Sequence, residues 1–271
     1  MKGKLLILAW LLLLTKGALN AQKMGLVFES GKSFGILPKL HEDIDEPYNN
    51  KFTMGTGLSN ALLLNIYPDS ANYFFIAGFE FFNGASVMSA NKKTNDFEFG
   101  ASRNLKSLRL QTQLAYNFKS KFFDIQLKAG VLLPFYNSLY KESWRTDSVQ
   151  TIRQKNRLDL YPSIGFKGGL AINKRLNSKI SVFVSGDITL MNAKVKRSEI
   201  VEYNSMQYQQ VNDAFPNVAS RVIEYRKDPK LIRNNEAVLP DSFDKNKATD
   251  KLTYAHSING IALKFGFVFY L

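Results

Sequence analysis

The sequence predicts an all-β fold, an eight-stranded antiparallel up-and-down transmembrane β-barrel with short periplasmic turns and long outer loops. Three observations predict it. Apolar and polar residues alternate along eight separate segments. The connections between those segments run alternately short and long. Glycines and charges gather on the polar faces, where a narrow closed lumen has a use for both.

Period-two alternation places strands at residues 24–35, 53–67, 73–88, 106–118, 122–136, 157–173, 179–192 and 256–271. The first carries Glu29 on its polar face and the third carries Glu80. In the fourth, Leu108, Leu110, Leu114, Tyr116 and Phe118 share one side while Arg109, Gln111, Gln113 and Asn117 share the other. The fifth sets Phe123, Ile125, Leu127 and Val131 against Asp124, Gln126, Lys128 and Gly130. The sixth holds Lys167 between Gly165 and Gly169. The seventh sets Ile180, Val182, Val184, Ile188 and Leu190 against Ser181, Ser185 and Asp187. In the eighth, Phe265, Phe267, Phe269 and Leu271 face away from Lys264, Gly266, Val268 and Tyr270.

Three connections are short: Pro68 to Asn72, Lys119 to Lys121, and the turn around Arg175 to Asn177. The other four are long, and the segment 193–255 is the longest. A membrane barrel has this rhythm, with both chain ends on the periplasmic side, whereas a soluble sandwich has no reason to alternate so. Segments 199–203 and 206–211 have strand character and could make a fifth hairpin, hence ten strands. Pro216, Pro229 and Pro240, with dense charge around them, weigh for eight. Tyr67, Tyr73, Phe118, Phe122, Phe123 and Tyr270 sit near the short turns or the C-terminus, where the inner aromatic girdle of such a barrel would lie.

The chain ends name a compartment. Lys2 and Lys4 precede an apolar run from Leu5 to Leu14, and Asn20-Ala21-Gln22 suits cleavage after Ala21, so residues 1–21 read as an export signal and 22–271 as one barrel domain. The run is shorter than the roughly 20 residues a spanning helix needs. Cysteine is absent, which excludes a disulfide framework, a lipoprotein anchor and a thiol nucleophile. At the other end, the order polar residue, glycine, then alternating apolar residues resembles the C-terminal assembly signal of bacterial outer-membrane β-barrels. Lys264, Gly266, Phe269 and Leu271 stand at its positions, with Leu271 in place of the family's usual Phe. The resemblance implies recognition by the barrel assembly machinery. With the loop rhythm and the lumen composition, the mature chain resembles the small OmpA/OmpX-like outer-membrane barrels, a porin-family type of architecture. That resemblance implies the bacterial outer membrane as location and leaves the activity open.

Inward charges are the most informative polar set. Glu29, Glu80, Arg109, Lys128, Lys167, Asp187 and Lys264 all fall about five to nine residues above the periplasmic ends of their strands, which makes one mid-height layer at about 3.3 Å per residue. Charges of both signs at one height in a narrow lumen should pair, and pairing outweighs a solute-selecting constriction there. His41 lies in the first long loop and His256 where the last strand begins; no triad or nucleophile motif accompanies them, and a metal site lacks both spacing and cysteine. The formal net charge of +13 falls to about +10 once the three signal lysines leave. An exported chain has no use for nucleic acid as a partner. The basic stretches, Lys92, Lys93, Arg103 and Lys106 in one and Lys141 to Arg157 in the other, suit phosphate-bearing lipopolysaccharide instead.

The favoured function is therefore a non-enzymatic barrel, with no cofactor, that serves a structural or interaction role through its outer loops. Its expected partners are outer-membrane lipid and lipopolysaccharide, the assembly machinery, and a protein at the loops. A narrow passive pore for small solutes and a lipid-acting barrel enzyme are the alternatives, and a soluble lipocalin-type barrel would need its greasy faces turned inward.

Overall fold

The computed structural model describes residues 21–36, 54–68, 72–94, 97–147, 150–205, 208, 210–238, 240 and 243–271. The expected export signal, apart from Ala21, and His41 lie outside the described residues.

Fourteen strands are present among them: β1 (Ala21–Gly35), β2 (Gly57–Pro68), β3 (Tyr73–Gly84), β4 (Val87–Lys93), β5 (Phe97–Phe118), β6 (Asp124–Asp147), β7 (Thr151–Leu160), β8 (Gly165–Arg175), β9 (Ile180–Leu190), β10 (Asn192–Asn204), β11 (Val222–Arg226), β12 (Thr249–Leu252), β13 (Ala255–Ser257) and β14 (Gly260–Tyr270). Two one-turn helices, α1 (Val211–Ala214) and α2 (Val218–Arg221), lie between β10 and β11.

Antiparallel pairing runs β1–β2–β3–β5–β6–β8–β9–β14 and returns to β1, so these eight strands close a ring. The closing pair extends from Gly25 opposite Tyr270 to Gly35 opposite Gly260. β5 and β6 then continue past the ring. Their upper halves pair with β4 and β7, and β7 carries β10, β11 and β12 in turn, which builds a second, open sheet on the same two long strands.

The strand count is thus fourteen where eight were expected, and the difference lies in the connections. The expected strand 157–173 is two strands, because Tyr161 to Ile164 leave the pairing at Pro162, whose nitrogen has no hydrogen to donate. Its first half belongs to the upper sheet and its second half to the ring. The expected strand 256–271 divides likewise into β13 and β14, and 73–88 divides into β3 and β4. The segments expected to be long outer loops at 89–105 and 137–156 are mostly strand. So is 199–203, within β10, whereas 208 and 210 are not strand. Pro134 does not stop β6, because it sits at a bulge where the register shifts between Leu108 and Arg109 of β5.

Outside, the ring wears an apolar belt. The outward positions of β14 are Ile261, Leu263, Phe265, Phe267 and Phe269, those of β9 are Val182, Val184, Gly186, Ile188 and Leu190, and those of β3 are Tyr73, Phe75, Ala77, Phe79 and Phe81. Leu263 and Phe265 keep about 60% of their surface exposed, far beyond what scattered surface apolar residues need. Tyr73, Tyr116, Phe118, Phe122 and Phe123 are exposed beside the short turns. Tyr67 and Tyr270 depart from the expected girdle: they turn inward, Tyr67 stacking on Phe74 at 4.8 Å and Tyr270 taking a 2.7 Å hydrogen bond from Ser181.

Inside, the lumen is filled in three tiers. At the short-turn end Val27, Leu63, Phe74, Ile76, Phe183 and Val268 make an apolar floor, with Tyr67 and Tyr270 against it. At the other end Met54, Phe82, Leu105, Leu139, Leu158, Met191, Val195, Tyr225 and Ile258 make an apolar ceiling, to which the upper sheet contributes. The charged residues lie between.

Candidate functional site

The middle tier is built by register. Each of five charged side chains stands across from small residues: Glu29 from Gly266 and Ala61, Lys128 from Ala115 and Gly169, Asp187 from Gly169 and Ala262, Lys167 from Gly130 and Thr189, Lys264 from Gly31 and Ser185. A long side chain can cross a narrow lumen only where the opposing wall is bare. At Gly169 a Cβ would collide with the Asp187 carboxylate, and at Gly266 one would lie 2.6 Å from the Phe183 ring. The sixth and seventh, Glu80 and Arg109, face each other directly on β3 and β5.

All seven residues are at most 5% exposed, and they meet in one network. Lys167 Nζ lies 2.6 Å from Glu80 Oε2, 3.5 Å from Glu29 Oε1 and 3.6 Å from Asp187 Oδ2. Lys264 Nζ bridges the same three carboxylates at 2.9 Å to Glu29, 3.0 Å to Glu80 and 3.7 Å to Asp187. Lys128 reaches Asp187 at 3.1 Å, and Arg109 reaches Glu80 at 3.3 Å. Polar neighbours complete the tier: Lys167 donates to Gln111 Oε1 at 2.6 Å, Arg109 Nε donates to Ser107 Oγ at 3.0 Å, and the guanidinium lies 4.5 Å from the Phe82 ring centre. Such a network repays its desolvation because Lys167, Lys264 and each of the three carboxylates face more than one opposite charge.

Of the four positions expected to form an assembly signal, Lys264 and Gly266 face this lumen, while Phe269 and Leu271 point outward with 39% and 73% exposure. His256, on β13, is 2% exposed and packs edge-on to Tyr254 at 5.1 Å, inside the ceiling and not in a solvated loop. Among the described residues no three His, Cys, Asp or Glu side chains gather in a way that could hold a metal ion.

A second polar centre, which no local pattern announces, orders the segment 211–254. The buried Asp250 carboxylate accepts from Arg226 Nε at 2.7 Å and from the backbone N–H groups of Arg233 and Asn234 at 2.9 and 3.0 Å. Asn234 Nδ2 lies 3.0 Å from Asp244 O, 3.1 Å from Lys247 O and 2.9 Å from Ala248 O, and its Oδ1 accepts from Asp244 N at 2.7 Å. Burial alone would raise the Asp250 carboxyl, but the two N–H groups and the guanidinium win and hold it below the ordinary aspartate value. Around this knot the upper sheet is charged on its surface, with Lys155 against Glu202 at 2.6 Å, Arg157 and Arg197 both against Glu199 at 3.3 Å, and Arg226 against Glu224 at 2.6 Å.

No family model matches the sequence and no curated protein matches it. A comparison of folds finds a crystal structure of a major outer membrane protein from Thermus thermophilus, 11% identical, with a TM-score of 0.40 over 92% of this chain and 99% of that one. The strand pairings described above rest on this chain's own geometry and owe nothing to that likeness.

Proposed function

We propose that the chain is a non-enzymatic bacterial outer-membrane barrel that works as an anchor, with its ring in the lipid and its upper sheet presenting a binding surface outside. The observation that carries this is the lumen. A tier of interlocked charges lies between an apolar floor and an apolar ceiling, so a solute has no polar path through. The exposed belt of Phe, Leu, Ile and Val around the ring supports a lipid surround, since in hydrocarbon the closed ring also satisfies every ladder hydrogen bond internally. Lys264, Gly266, Phe269 and Leu271 would be read by the assembly machinery during insertion. Lys141, Arg145, Arg153, Lys155, Arg157 and Arg197 of the upper sheet supply charge for lipopolysaccharide phosphates or an acidic protein surface.

Membrane fractionation followed by gel migration with and without heating tests location and closure together. The expected result is an outer-membrane protein whose mobility changes on boiling. Recovery from the soluble fraction, folded without detergent, would overturn the reading. Deletion of residues 198–250 removes no ring strand but strips β7, which carries Arg153, Lys155 and Arg157, of most of its partner β10, and should leave a heat-modifiable barrel that has lost binding to lipopolysaccharide or to its protein partner. Stepwise single-channel currents from the intact chain in planar bilayers would instead put the function in the lumen.

A further inference from the structure

We infer that the middle tier of the lumen binds one small monovalent anion of the halide class, in the cavity beside Arg109 and Ser59. The charge census comes first. Among the described residues of the tier, the four buried cations Arg109, Lys128, Lys167 and Lys264 stand against the three buried carboxylates Glu29, Glu80 and Asp187. Both apolar tiers keep bulk solvent away, so one positive charge is left over where an uncompensated charge is costly.

The space and the donors point to the same place. A cavity of about 10 Å³ opens in the tier, bordered by Ser33, Ser59, Glu80, Arg109, Ile258 and Lys264. That is room for one water-sized species, so phosphate, sulfate and carboxylate ligands are too large and a monatomic anion fits. Of the residues bordering it, Arg109 and Ser59 each hold a donor, Nη2 and Oγ, that is buried without a hydrogen-bond partner among the described residues. The rest of the guanidinium is engaged, Nη1 with Glu80 and Nε with Ser107. Glu80 also borders the cavity, but Oε1 already faces Arg109, and Oε2 faces Lys167 and Lys264, so its charge is countered from three sides. An anion there would take a hydrogen bond from each free donor and offset the leftover charge, whereas a water would do only the first. The inference concerns the ring alone and stands whatever the upper sheet binds.

The test uses the full chain refolded into lipid vesicles at one ionic strength in sodium chloride, sodium bromide or sodium gluconate, because the apolar tiers demand that the ion be present as the ring closes. Above the dissociation constant, each tenfold rise in chloride or bromide should raise the folded-to-unfolded ratio in urea about tenfold, and gluconate should not. Crystals grown in bromide should show one anomalous peak within hydrogen-bond reach of Arg109 Nη2. Arg109→Gln also strips Glu80 of a partner, so Ser59→Asp is the sharper variant. It sets a carboxylate in the cavity, and its stability in gluconate should match that of the parent chain in chloride and no longer respond to halide. Equal unfolding in chloride and gluconate with no bromide peak would mean water alone occupies the cavity and would overturn the inference. A halide response that survives in Ser59→Asp would overturn it as well, by placing the ion elsewhere.

Discussion

Strands β5 and β6 each belong to two sheets, and the dress of their outer side changes between the two. Within the ring their inward side chains are Arg109, Gln111, Gln113, Gln126 and Lys128, and their outward ones are Leu108, Leu110, Leu114, Ile125, Leu127 and Val131. Above the bulge at Pro134 the inward side carries Ala101, Leu105 and Leu139, with Arg103, Lys141 and Arg145 further along it, while the other side carries Asn104, Lys106, Tyr140, Glu142 and Trp144. On the reading proposed above, one pair of strands faces two different media along its length. Below, the polar atoms are hidden and the apolar ones shown, as hydrocarbon demands; above, Lys106 and Glu142 stand exposed on that same outer side, as water allows. The lower region is locked by buried charge and the upper one by ordinary core packing with surface ion pairs, so substitutions should separate the two regions in size.

The largest effect is expected in the middle tier, at Glu80. Glu80→Gln leaves Arg109, Lys167 and Lys264 short of their shared carboxylate and should cost about 3–5 kcal/mol in urea unfolding from vesicles. Lys264→Met should cost clearly less, because three cations would remain for three carboxylates, and a double variant with Glu29→Gln should be non-additive. A Lys264→Met loss equal to that of Glu80→Gln would break the picture of a cation-rich tier. Next comes the belt. Phe267→Asp puts a charge on the outward face and should cost about 2–4 kcal/mol at mid-bilayer, with Phe269→Asp nearer the border costing less. Normal outer-membrane levels of both variants would erase the distinction between the two media.

How much of this was legible follows from how local each signal is. Alternation in a strand is local, so the ring strands and all seven inward charges, Glu29 to Lys264, could be read from their own neighbours in sequence. So could the charge of the segment 141–157. That this segment and 193–204 pair as β6, β7 and β10 could not be read, because Leu158 meets Leu139 and Leu160 meets Val195 through register and not through any pattern along the chain. Basic residues in those segments look the same on a loop as on the wet face of a sheet. The Asp250 centre was hidden for the same reason: its donors come from Arg226, Arg233 and Asn234, set by a fold of the backbone that no periodicity marks. Tyr67 and Tyr270 misled because aromatics near a turn suit either a girdle or a plug, and only the inward side of the strand decides.

Asp250 extends the comparison to the upper region. Asp250→Asn keeps the shape but turns one acceptor oxygen into an NH2 group facing a donor and takes the charge from the hydrogen bonds that remain, and should cost the segment 211–254 about 1–3 kcal/mol, read as faster proteolysis there while the ring stays heat-modifiable. Its pH dependence has a fixed sign. The folded carboxyl sits below its unfolded value of about 3.9, so its contribution is complete above that pH and is lost as pH falls through the lower folded value. The protection of the Arg233 and Asn234 amides, taken relative to the intrinsic exchange rate at each pH, should therefore fall on acidification in the parent chain and depend much less on pH in Asp250→Asn.

The smallest effect is expected at the surface pair Lys155–Glu202. The two atoms are close, at 2.6 Å, yet Glu202 is 67% exposed, so water screens what the short distance would otherwise supply. Lys155→Ala should change stability by less than about 1 kcal/mol, and raising the salt should erase even that. The contrast with Glu80 is then between two carboxylates, each within hydrogen-bond distance of a lysine, that differ chiefly in the medium around them. A Lys155→Ala cost as large as that of Glu80→Gln, and insensitive to salt, would show that the pair is covered by something other than water. The upper sheet would then be part of an interface, and the division into a buried lower lock and a solvated upper surface would no longer hold.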